Sequence, residues 1–380
     1  MKIGYISATD PFVDRVAWSG TIFKLREAIE KADFEVVWIP YKTHSFYISF
    51  LQIVYKIFVK IYKGLFHETI FWGALSPFWA RIYAKSIDIN EVNKCDYLFF
   101  PVGAQICAYL KSDVPIIFFS DATVPLMIDY YWFNVKHSSV LSAISLEKKA
   151  AQKSFINIRS SQWALDSVVS DYNCDKNKCF VLEFGPNIDS KDISPVSVYE
   201  SGRLNILFSG CVWSRKGGDI AVKTVELLRQ KGIDAHLLIV GPKKLPQEYQ
   251  ELGFIEYYGF LNKNNPSDYK KYIQLYKKSH IALLPTKAEC SAIVFCEAAA
   301  FGLPFYTFDT GGTSSYVVNG YNGCTLSLVS SSEDFANVIC NDINEGKMKL
   351  YHDNGLKLSR EKLSWDAFAK RFKDIVLNCK

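Results

Sequence analysis

The stretch LNILFSGCVWSRKGGDIAVKTVELLRQKG, Leu204 to Gly232, has the pattern of one strand, one loop and one helix. An apolar run ends at Ser209, a polar loop follows, and apolar residues then recur at helical spacing. Asp219 is predicted to cap the helix and Gly232 to end it. Short apolar runs alternate with helical patterns along the rest of the chain in the same way, which is typical of parallel sheets covered by helices.

Length and composition indicate two domains. The chain has 380 residues, of which 49% are hydrophobic and 22% charged, so it can form two cores and is not disordered. The polar stretch Ser190–Arg203 separates two sets of strands and is predicted as a linker. The predicted strands are Lys2–Ser7, Glu35–Pro40, Tyr97–Val102, Pro115–Ser120, Phe155–Arg159, Asn205–Ser209, His236–Gly241, Phe254–Tyr258, Ile281–Pro285 and Phe305–Phe308.

The cysteines and the N-terminus favour a cytoplasmic location. The ten cysteines form no CxxC pair and the chain is long, which indicates reduced thiols rather than a disulfide framework. Met1 leads directly into an apolar strand without the features of a signal peptide. The net charge of +5 favours anionic partners only mildly, and no nucleic-acid partner is expected.

One segment departs from the alternation of strands and helices. FYISFLQIVYKIFVKIYKGLF, Phe46 to Phe66, carries Lys56, Lys60 and Lys63 at helical spacing, and these lysines disfavour a membrane-spanning helix. Two interpretations stay open. The segment is either a cover helix with solvated lysines or, with the aromatic residues that continue to residue 79, a helix lying on an anionic membrane surface.

The loop after the strand at residues 205–209 has the composition of a phosphate site. Arg215 and Lys216 are adjacent cations, Gly217 and Gly218 lack side chains, and a helix begins here. Charge, exposed amides and room for close approach suit a phosphate group. The alternative is a solvated basic loop. Neither a P-loop nor a GxGxxG motif is present.

The stretch AECSAIVFCEAAAFGLP, Ala288 to Pro304, contains two glutamates around the start of a predicted helix, Ala292–Phe301. Glu289 precedes this helix, and Glu297 lies over a turn into it. Each carboxylate suits a pair of neighbouring sugar hydroxyls, although a capping or surface role is the alternative for either one alone. Free amides at the helix start would face a phosphate between the glutamates. These amides belong to Ser291, Ala292 and Ile293.

Taken together, these motifs resemble the second domain of retaining GT-B glycosyltransferases, family four in particular. The similarity covers roughly Leu204 to Gly323, and SWDAFAKRFKDIV, Ser364 to Val376, resembles the family's closing helix. The first domain is less similar. The motifs that carry the resemblance are RKGGD (215–219), LLIVGP (237–242), Gly259-Phe260, the two glutamates, FGLP (301–304) with Gly311-Gly312, WSGT (18–21), Ser160-Ser161 before a helical run and FGPNID (184–189).

The resemblance implies an α/β GT-B fold with two Rossmann-like, doubly wound domains facing a central cleft. Residues 1–195 would then bind the acceptor, residues 196–362 the nucleotide sugar, and the helix in residues 363–380 would cross back to the first domain. It also implies a retaining hexosyltransferase that uses a UDP- or GDP-sugar donor and a saccharide acceptor, with a lipid-linked saccharide as one option, in cell-surface glycan synthesis. A nucleotide-sugar epimerase of the same fold and a non-catalytic sugar-nucleotide-binding protein are the alternatives.

The family's donor residues transfer to this sequence by motif. Arg215 and Lys216 would neutralise the diphosphate, Glu297 would hold the ribose, and Glu289 would hold the hydroxyls of the transferred sugar. Gly259 and Phe260 would lie near the base.

Two glycines and one departure from the family pattern complete the predicted donor site. Gly20 would let the backbone approach the donor phosphates, and Gly210 ends the first strand of the second domain. Many relatives carry an arginine after that glycine, whereas this chain has Cys211.

Asp121 follows a predicted strand and would orient or deprotonate the acceptor hydroxyl, with a turn aspartate as the alternative. Many relatives are expected to carry a histidine in this loop. No DxD-type pair occurs in a plausible loop, so we expect no metal and no other cofactor.

Overall fold

The computed structural model describes residues 1–41, 45–101 and 103–379, which form two compact units. Unit 1 comprises Met1–Ala17, Ile22–Leu182 and Ala369–Lys380, and unit 2 comprises Trp18–Thr21 and Glu183–Phe368. Val102, the last residue of one predicted strand, and Lys380 lie outside the described residues.

Unit 1 is built on a parallel sheet with the order β2-β1-β3-β4-β5-β6. Its strands are β1 (Lys2–Ser7), β2 (Glu35–Pro40), β3 (Tyr97–Phe100), β4 (Ile116–Ser120), β5 (Ile156–Arg159) and β6 (Cys179–Val181). The helices between them are α1 (Thr21–Lys31), α2 (Phe46–Phe66), α3 (Pro77–Ser86), α4 (Ile89–Val92), α5 (Val124–Met127), α6 (His137–Lys153) and α7 (Gln162–Ser170). Short 3-10 helices lie at Gly73–Leu75, Ala104–Tyr109 and Lys176–Lys178.

Unit 2 is built on a second parallel sheet with the order β12-β11-β10-β7-β8-β9. Its strands are β7 (Leu204–Ser209), β8 (Ala235–Val240), β9 (Ile255–Tyr257), β10 (Ile281–Leu284), β11 (Phe305–Phe308) and β12 (Gly323–Leu326). The helices are α8 (Gly218–Gln230), α9 (Pro266–Lys278), α10 (Ile293–Phe301), α11 (Ser332–Asn344) and α12 (Lys347–Glu361), and α13 (Trp365–Asn378) begins in unit 2 and continues in unit 1. Strand order reverses between β7 and β10, and such sheets bind ligands outside the carboxyl ends of the strands at this point.

All ten predicted strands are present, and the structure adds β6 and β12. Each added strand lies at the edge of its sheet, and they contain only three and four residues. An edge strand has a neighbouring strand on one side only and is less buried than a central strand, so it does not require a long apolar run. Central strands such as β10, whose four residues are all buried, carry the strong apolar signal.

The segment 46–66 forms one helix, α2, as its lysine spacing predicts. The Ser45 hydroxyl accepts a hydrogen bond from the Ile48 amide at 3.2 Å, and the helix ends at His67 in a left-handed conformation. Ile48 is buried, and Leu51 and Tyr55 pack against the same core cluster. Across the described ranges of the chain, no helix combines the length and apolarity needed to cross a bilayer.

The final helix, α13, is shared between the units, because its residues from Ala369 onward belong to unit 1. Phe372 packs edge-on against Phe34 and Phe99, with ring centres 5.7 and 5.8 Å apart. At the start of the helix, Trp365 donates its indole N–H to the carbonyl of Pro186 at 2.9 Å within unit 2. The helix predicted from Ser364–Val376 is therefore present, and its second half packs on the first sheet.

Candidate functional site

Three predicted site residues meet at the carboxyl ends of β7 and β10. The Lys216 ammonium donates a hydrogen bond to the Glu289 carboxylate. Arg215 lies 3.7 Å from the same carboxylate oxygen and donates to the Ala288 carbonyl at 2.8 Å. The Lys216 and Glu289 side chains are only 10% and 8% exposed. Two cations around one carboxylate leave this cluster with excess positive charge, which suits an anionic ligand.

The glycines of this loop have a packing role, and the close approach of a phosphate beside them stays a prediction. A Cβ atom on Gly217 would lie 2.1 Å from the carbonyl oxygen of Pro285. A Cβ atom on Gly218 would lie 2.3 Å from the Trp213 ring. The missing side chains therefore let the loop pack directly on the end of β10 and under Trp213.

Gly217→Ala is expected to lower the free energy of unfolding by more than about 2 kcal/mol. Gly217 has φ +74°, and a left-handed conformation alone costs an L-residue about 1–2 kcal/mol. The clash with the Pro285 carbonyl adds to this cost, because backbone cannot move as a flexible side chain can. Gly232→Ala is the matched control, since φ there is +87° but no atom lies within 4 Å. Equal losses in urea unfolding would contradict the packing interpretation.

The cap of α8 also differs from the prediction. Gly217 is the N-cap residue, whereas Asp219 lies in the first turn. The Asp219 carboxylate accepts hydrogen bonds from the Trp213 indole at 2.7 Å and from the Tyr249 hydroxyl at 3.0 Å. Trp213 was missed as a site residue, although a tryptophan two residues before the RKGG sequence is a signal that the loop is held by packing.

Gly210 allows the Lys216 side chain to lie over the end of β7. A Cβ atom at Gly210 would lie 2.9 Å from Lys216 Cγ, and a Cβ atom at Gly241 would lie 2.8 Å from the Gly210 backbone. The Gly210 amide donates to the Val240 carbonyl at 3.0 Å. The next residue, Cys211, is exposed. Gly210 thus has a packing role here, and its contact with donor stays a prediction.

Glu297 is surrounded by side chains that the sequence analysis did not identify. One carboxylate oxygen accepts hydrogen bonds from the hydroxyls of Tyr272 at 2.6 Å and Tyr276 at 2.7 Å, and the other accepts from the Lys263 ammonium at 2.7 Å. Glu297 is only 1% exposed. Burial raises the pKa values of both tyrosines well above the usual range, so they stay protonated donors.

Three of the roughly four acceptor positions of the Glu297 carboxylate are therefore occupied by protein. The ribose role of Glu297 stays a prediction. The sequence does contain a signal for two of these partners: Tyr272 and Tyr276 are four residues apart on α9, so both hydroxyls lie on one face of the helix.

Helix α10 begins at Ile293, with Ala292 as its N-cap, one residue later than predicted. Alanine offers no side-chain oxygen to the first turn, so the amides there are not capped by the N-cap residue. Ser291 donates its hydroxyl to the Cys290 carbonyl at 2.6 Å. A contact between these amides and a phosphate stays a prediction.

Gly259 and Phe260 follow β9. Gly259 has φ +66°, and its carbonyl accepts a hydrogen bond from the Gly241 amide at 2.8 Å. The Phe260 side chain is 49% exposed. A backbone bonded to the end of β8 and an exposed ring next to it are compatible with the predicted position of the base.

Gly20 lies in a turn that belongs to unit 2. Trp18, Ser19 and Gly20 have φ values of +50°, +59° and +90°, a run that is costly for the first two residues. The Asn187 amide holds this turn by donating to the Ser19 carbonyl at 2.8 Å and the Thr21 hydroxyl at 3.1 Å. Asn187 belongs to the FGPNID motif, so two of the motifs in the resemblance contact each other.

Asp121 lies in unit 1, in a turn that follows β4. In this turn the Ser120 hydroxyl donates to the Ala122 carbonyl at 2.6 Å. The neighbouring Thr123 is buried, with its hydroxyl 2.5 Å from that of Ser167. Asp121 is thus at the carboxyl end of a strand, as predicted, and its role toward an acceptor stays a prediction.

Potential metal ligands are dispersed in the part of the chain that the structure describes. Within it, no three His, Cys, Asp or Glu side chains come together as a group that would hold a metal ion. Metal-independent transfer stays a prediction, to be tested with a chelator.

Part of the sequence is similar to known proteins. Residues 203–344 match the family described as Glycosyl transferases group 1. An uncharacterized glycosyltransferase of Methanocaldococcus jannaschii is 27% identical over 201 residues, which cover 50% of this chain and 51% of that protein. The chain thus matches about half the length of this relative.

Solved structures match the whole chain. Sucrose-phosphate synthase from Thermosynechococcus elongatus superposes with a TM-score of 0.68 and 14% identity, covering 99% of this chain and 98% of that one. The Anabaena protein HepE in complex with UDP and glucose superposes with a TM-score of 0.62 and 13% identity, and the match covers 100% of each chain. Residues 203–344 therefore match a glycosyl transferases group 1 domain, and the chain has the GT-B fold with two Rossmann-like domains.

Proposed function

We propose that this protein transfers a hexose from a nucleoside-diphosphate sugar to a saccharide, with retention of anomeric configuration. The observation that carries the proposal is the meeting of Arg215, Lys216 and Glu289 at the strand-order reversal of unit 2. This is where a sheet of this topology binds nucleotides. The similarity of residues 203–344 to glycosyl transferases group 1 covers the same cluster.

The donor would bind to unit 2. Arg215 and Lys216 would neutralise the diphosphate together with the amides at the start of α10. Glu289 would hold hydroxyls of the hexose, Glu297 would hold the ribose, and the base would lie beside Phe260. The HepE complex contains UDP and glucose, which favours uridine over guanosine in this proposal.

Attack from the front face would account for retention without a protein nucleophile. The bond between the anomeric carbon and the departing phosphate oxygen breaks, and the acceptor oxygen bonds to the same face of the sugar. The acceptor proton passes to an oxygen of the departing diphosphate, while Asp121 would orient the acceptor hydroxyl. Arg215 and Lys216 would stabilise the charge that develops on the leaving group, so no metal ion would be needed.

The acceptor would be a saccharide used in cell-surface glycan synthesis, carried on a lipid at the inner face of the membrane. The apolar, lysine-bearing helix α2 of unit 1 supports this part of the proposal. The enzyme would then be cytoplasmic and peripheral.

Uridine diphosphate is expected to raise the melting temperature of the full chain in the presence of EDTA. A ligand specific for the folded state adds about 2.7 kcal/mol of stability at a hundredfold excess over Kd. Guanosine diphosphate and uridine are the controls for the base and for the diphosphate. No shift with any nucleoside diphosphate would contradict the proposal, and epimerisation of the donor without acceptor would point to an epimerase instead.

A further inference from the structure

Helix α2 has an apolar outer face opposite the stripe that packs on unit 1. The inward residue Ile48 is 7% exposed, whereas the side chains of the outer α2 face are 48–69% exposed. They recur at spacings of three and four residues, so they line one side of the helix for most of its length. The outer α2 face consists of Phe50, Ile53, Val54, Ile57, Phe58, Ile61 and Leu65.

Lysines border this face. Lys56, Lys60 and Lys63 recur at spacings of four and three residues along one side, and α2 contains no aspartate or glutamate. The Lys56 ammonium lies 5.5 Å from the ring centre of Trp72, which is itself 49% exposed. The apolar surface is thus combined with net positive charge.

We propose that the outer α2 face binds the surface of an anionic lipid bilayer, with the helix lying in the plane of the interface. The aliphatic and aromatic side chains would enter the boundary between headgroups and acyl chains, and the lysines would meet lipid phosphates. A helix of 21 residues is about 30 Å long, so it contacts several lipids at once.

Charge favours this partner over a second copy of the chain. A symmetric dimer through α2 would bring a second row of lysines to the contact, and α2 supplies no acidic side chain to neutralise it. An anionic bilayer satisfies the apolar face and the lysines together.

Co-sedimentation with vesicles tests the proposal on the full chain. We expect binding to phosphatidylglycerol mixed with phosphatidylcholine and little binding to phosphatidylcholine alone. The triple variant Lys56→Gln, Lys60→Gln and Lys63→Gln should lose affinity on the order of a hundredfold at low salt, because each lysine near an anionic surface contributes about fivefold. Added salt should weaken binding of the unmodified chain.

Two further variants distinguish binding through the outer α2 face from binding through positive charge elsewhere on the protein. Ile57→Asn with Ile61→Asn keeps the lysines and should also abolish binding, with melting temperature as the check on folding. The control replaces Lys270, Lys271 and Lys277 by glutamine, since these lysines are exposed on α9 of unit 2. If the α9 control variant and the α2 variants lose the same affinity for anionic vesicles, the proposal is overturned. The proposal is also overturned if the unmodified chain binds no vesicles but forms a dimer, and if the isoleucine variant is a monomer.

Vesicle binding is measured without donor or acceptor, so its outcome is independent of the proposed reaction. Transfer to a water-soluble acceptor should be the same in the α2 variants and in the unmodified chain.

Discussion

Replacing Lys216 by methionine is expected to lower kcat/KM for the donor by about 10²–10³-fold, or about 2.7–4 kcal/mol of transition-state stabilisation. Lys216 is the buried cation of the cluster at the carboxyl ends of β7 and β10, and its ammonium contacts Glu289. A cation positioned before reaction stabilises the charge that develops on the departing diphosphate. Methionine keeps most of the side-chain volume and removes only the charge and the hydrogen bonds.

Two controls separate this effect from a loss of folding. Lys223→Met removes a cation from α8 whose side chain is 55% exposed and which pairs with Glu226, so turnover should not change. Lys216→Met leaves the buried Glu289 carboxylate without the Lys216 ammonium, while Arg215 lies 3.7 Å from it, so the melting temperature is measured alongside. The double variant with Glu289→Gln also removes the negative charge of Glu289. Recovery of turnover in the double variant would mean that Lys216 acts only on Glu289.

The fold could be predicted from the sequence because its central strands are buried on both faces. Such strands need continuous apolar runs, and the central strands β1 and β11 have the bounds that these runs predict. The edge strands β6 and β12 are less buried, with two half-buried residues each, so an apolar run does not mark them as clearly. Helix α2 was predictable from its lysine spacing, although not which partner its outer face binds.

The charged residues of the candidate site could be predicted, because a lysine or a glutamate in a loop after a strand indicates its chemistry by residue type alone. Lys216 and Glu289 are 73 positions apart, yet both follow central strands of one parallel sheet, so topology brings them together. The roles of Gly217 and Gly218 were not predictable, because the atoms that fill the space beside a glycine are distant in sequence. The same limit applies to Lys263, Tyr272 and Tyr276, whose shared partner Glu297 lies on another helix.

Glu297→Ala is expected to lower the free energy of unfolding by about 3–5 kcal/mol. The substitution leaves the Lys263 ammonium and the hydroxyls of Tyr272 and Tyr276 without their buried acceptor. Urea unfolding of the full chain measures this loss.

Glu256→Ala is the matched control, because Glu256 accepts from Tyr258 at 2.5 Å and Lys278 at 2.8 Å but is 37% exposed. Its loss should be below about 1 kcal/mol. The hydrogen bonds from Lys278 and Tyr258 lower the pKa of Glu256 to about 2. The small contribution of Glu256 is therefore present above about pH 4.5 and lost as pH falls toward 2. Equal losses for the two alanine variants at neutral pH would contradict the structural role of Glu297.

Glu297→Gln tests the ribose role separately, since it keeps the shape of the side chain and should fold. A glutamine amide replaces one acceptor oxygen with a donor, so a ribose held by the carboxylate would lose a hydrogen bond to a charged group, worth about 1.5–3 kcal/mol. Calorimetry should therefore show weaker binding of uridine diphosphate by about 10–100-fold, with unchanged binding of pyrophosphate, which has no ribose. If both ligands weaken equally, Glu297 supports the phosphate cluster through packing. If neither weakens, Glu297 holds only Lys263 and the two tyrosines, and the ribose is bound elsewhere.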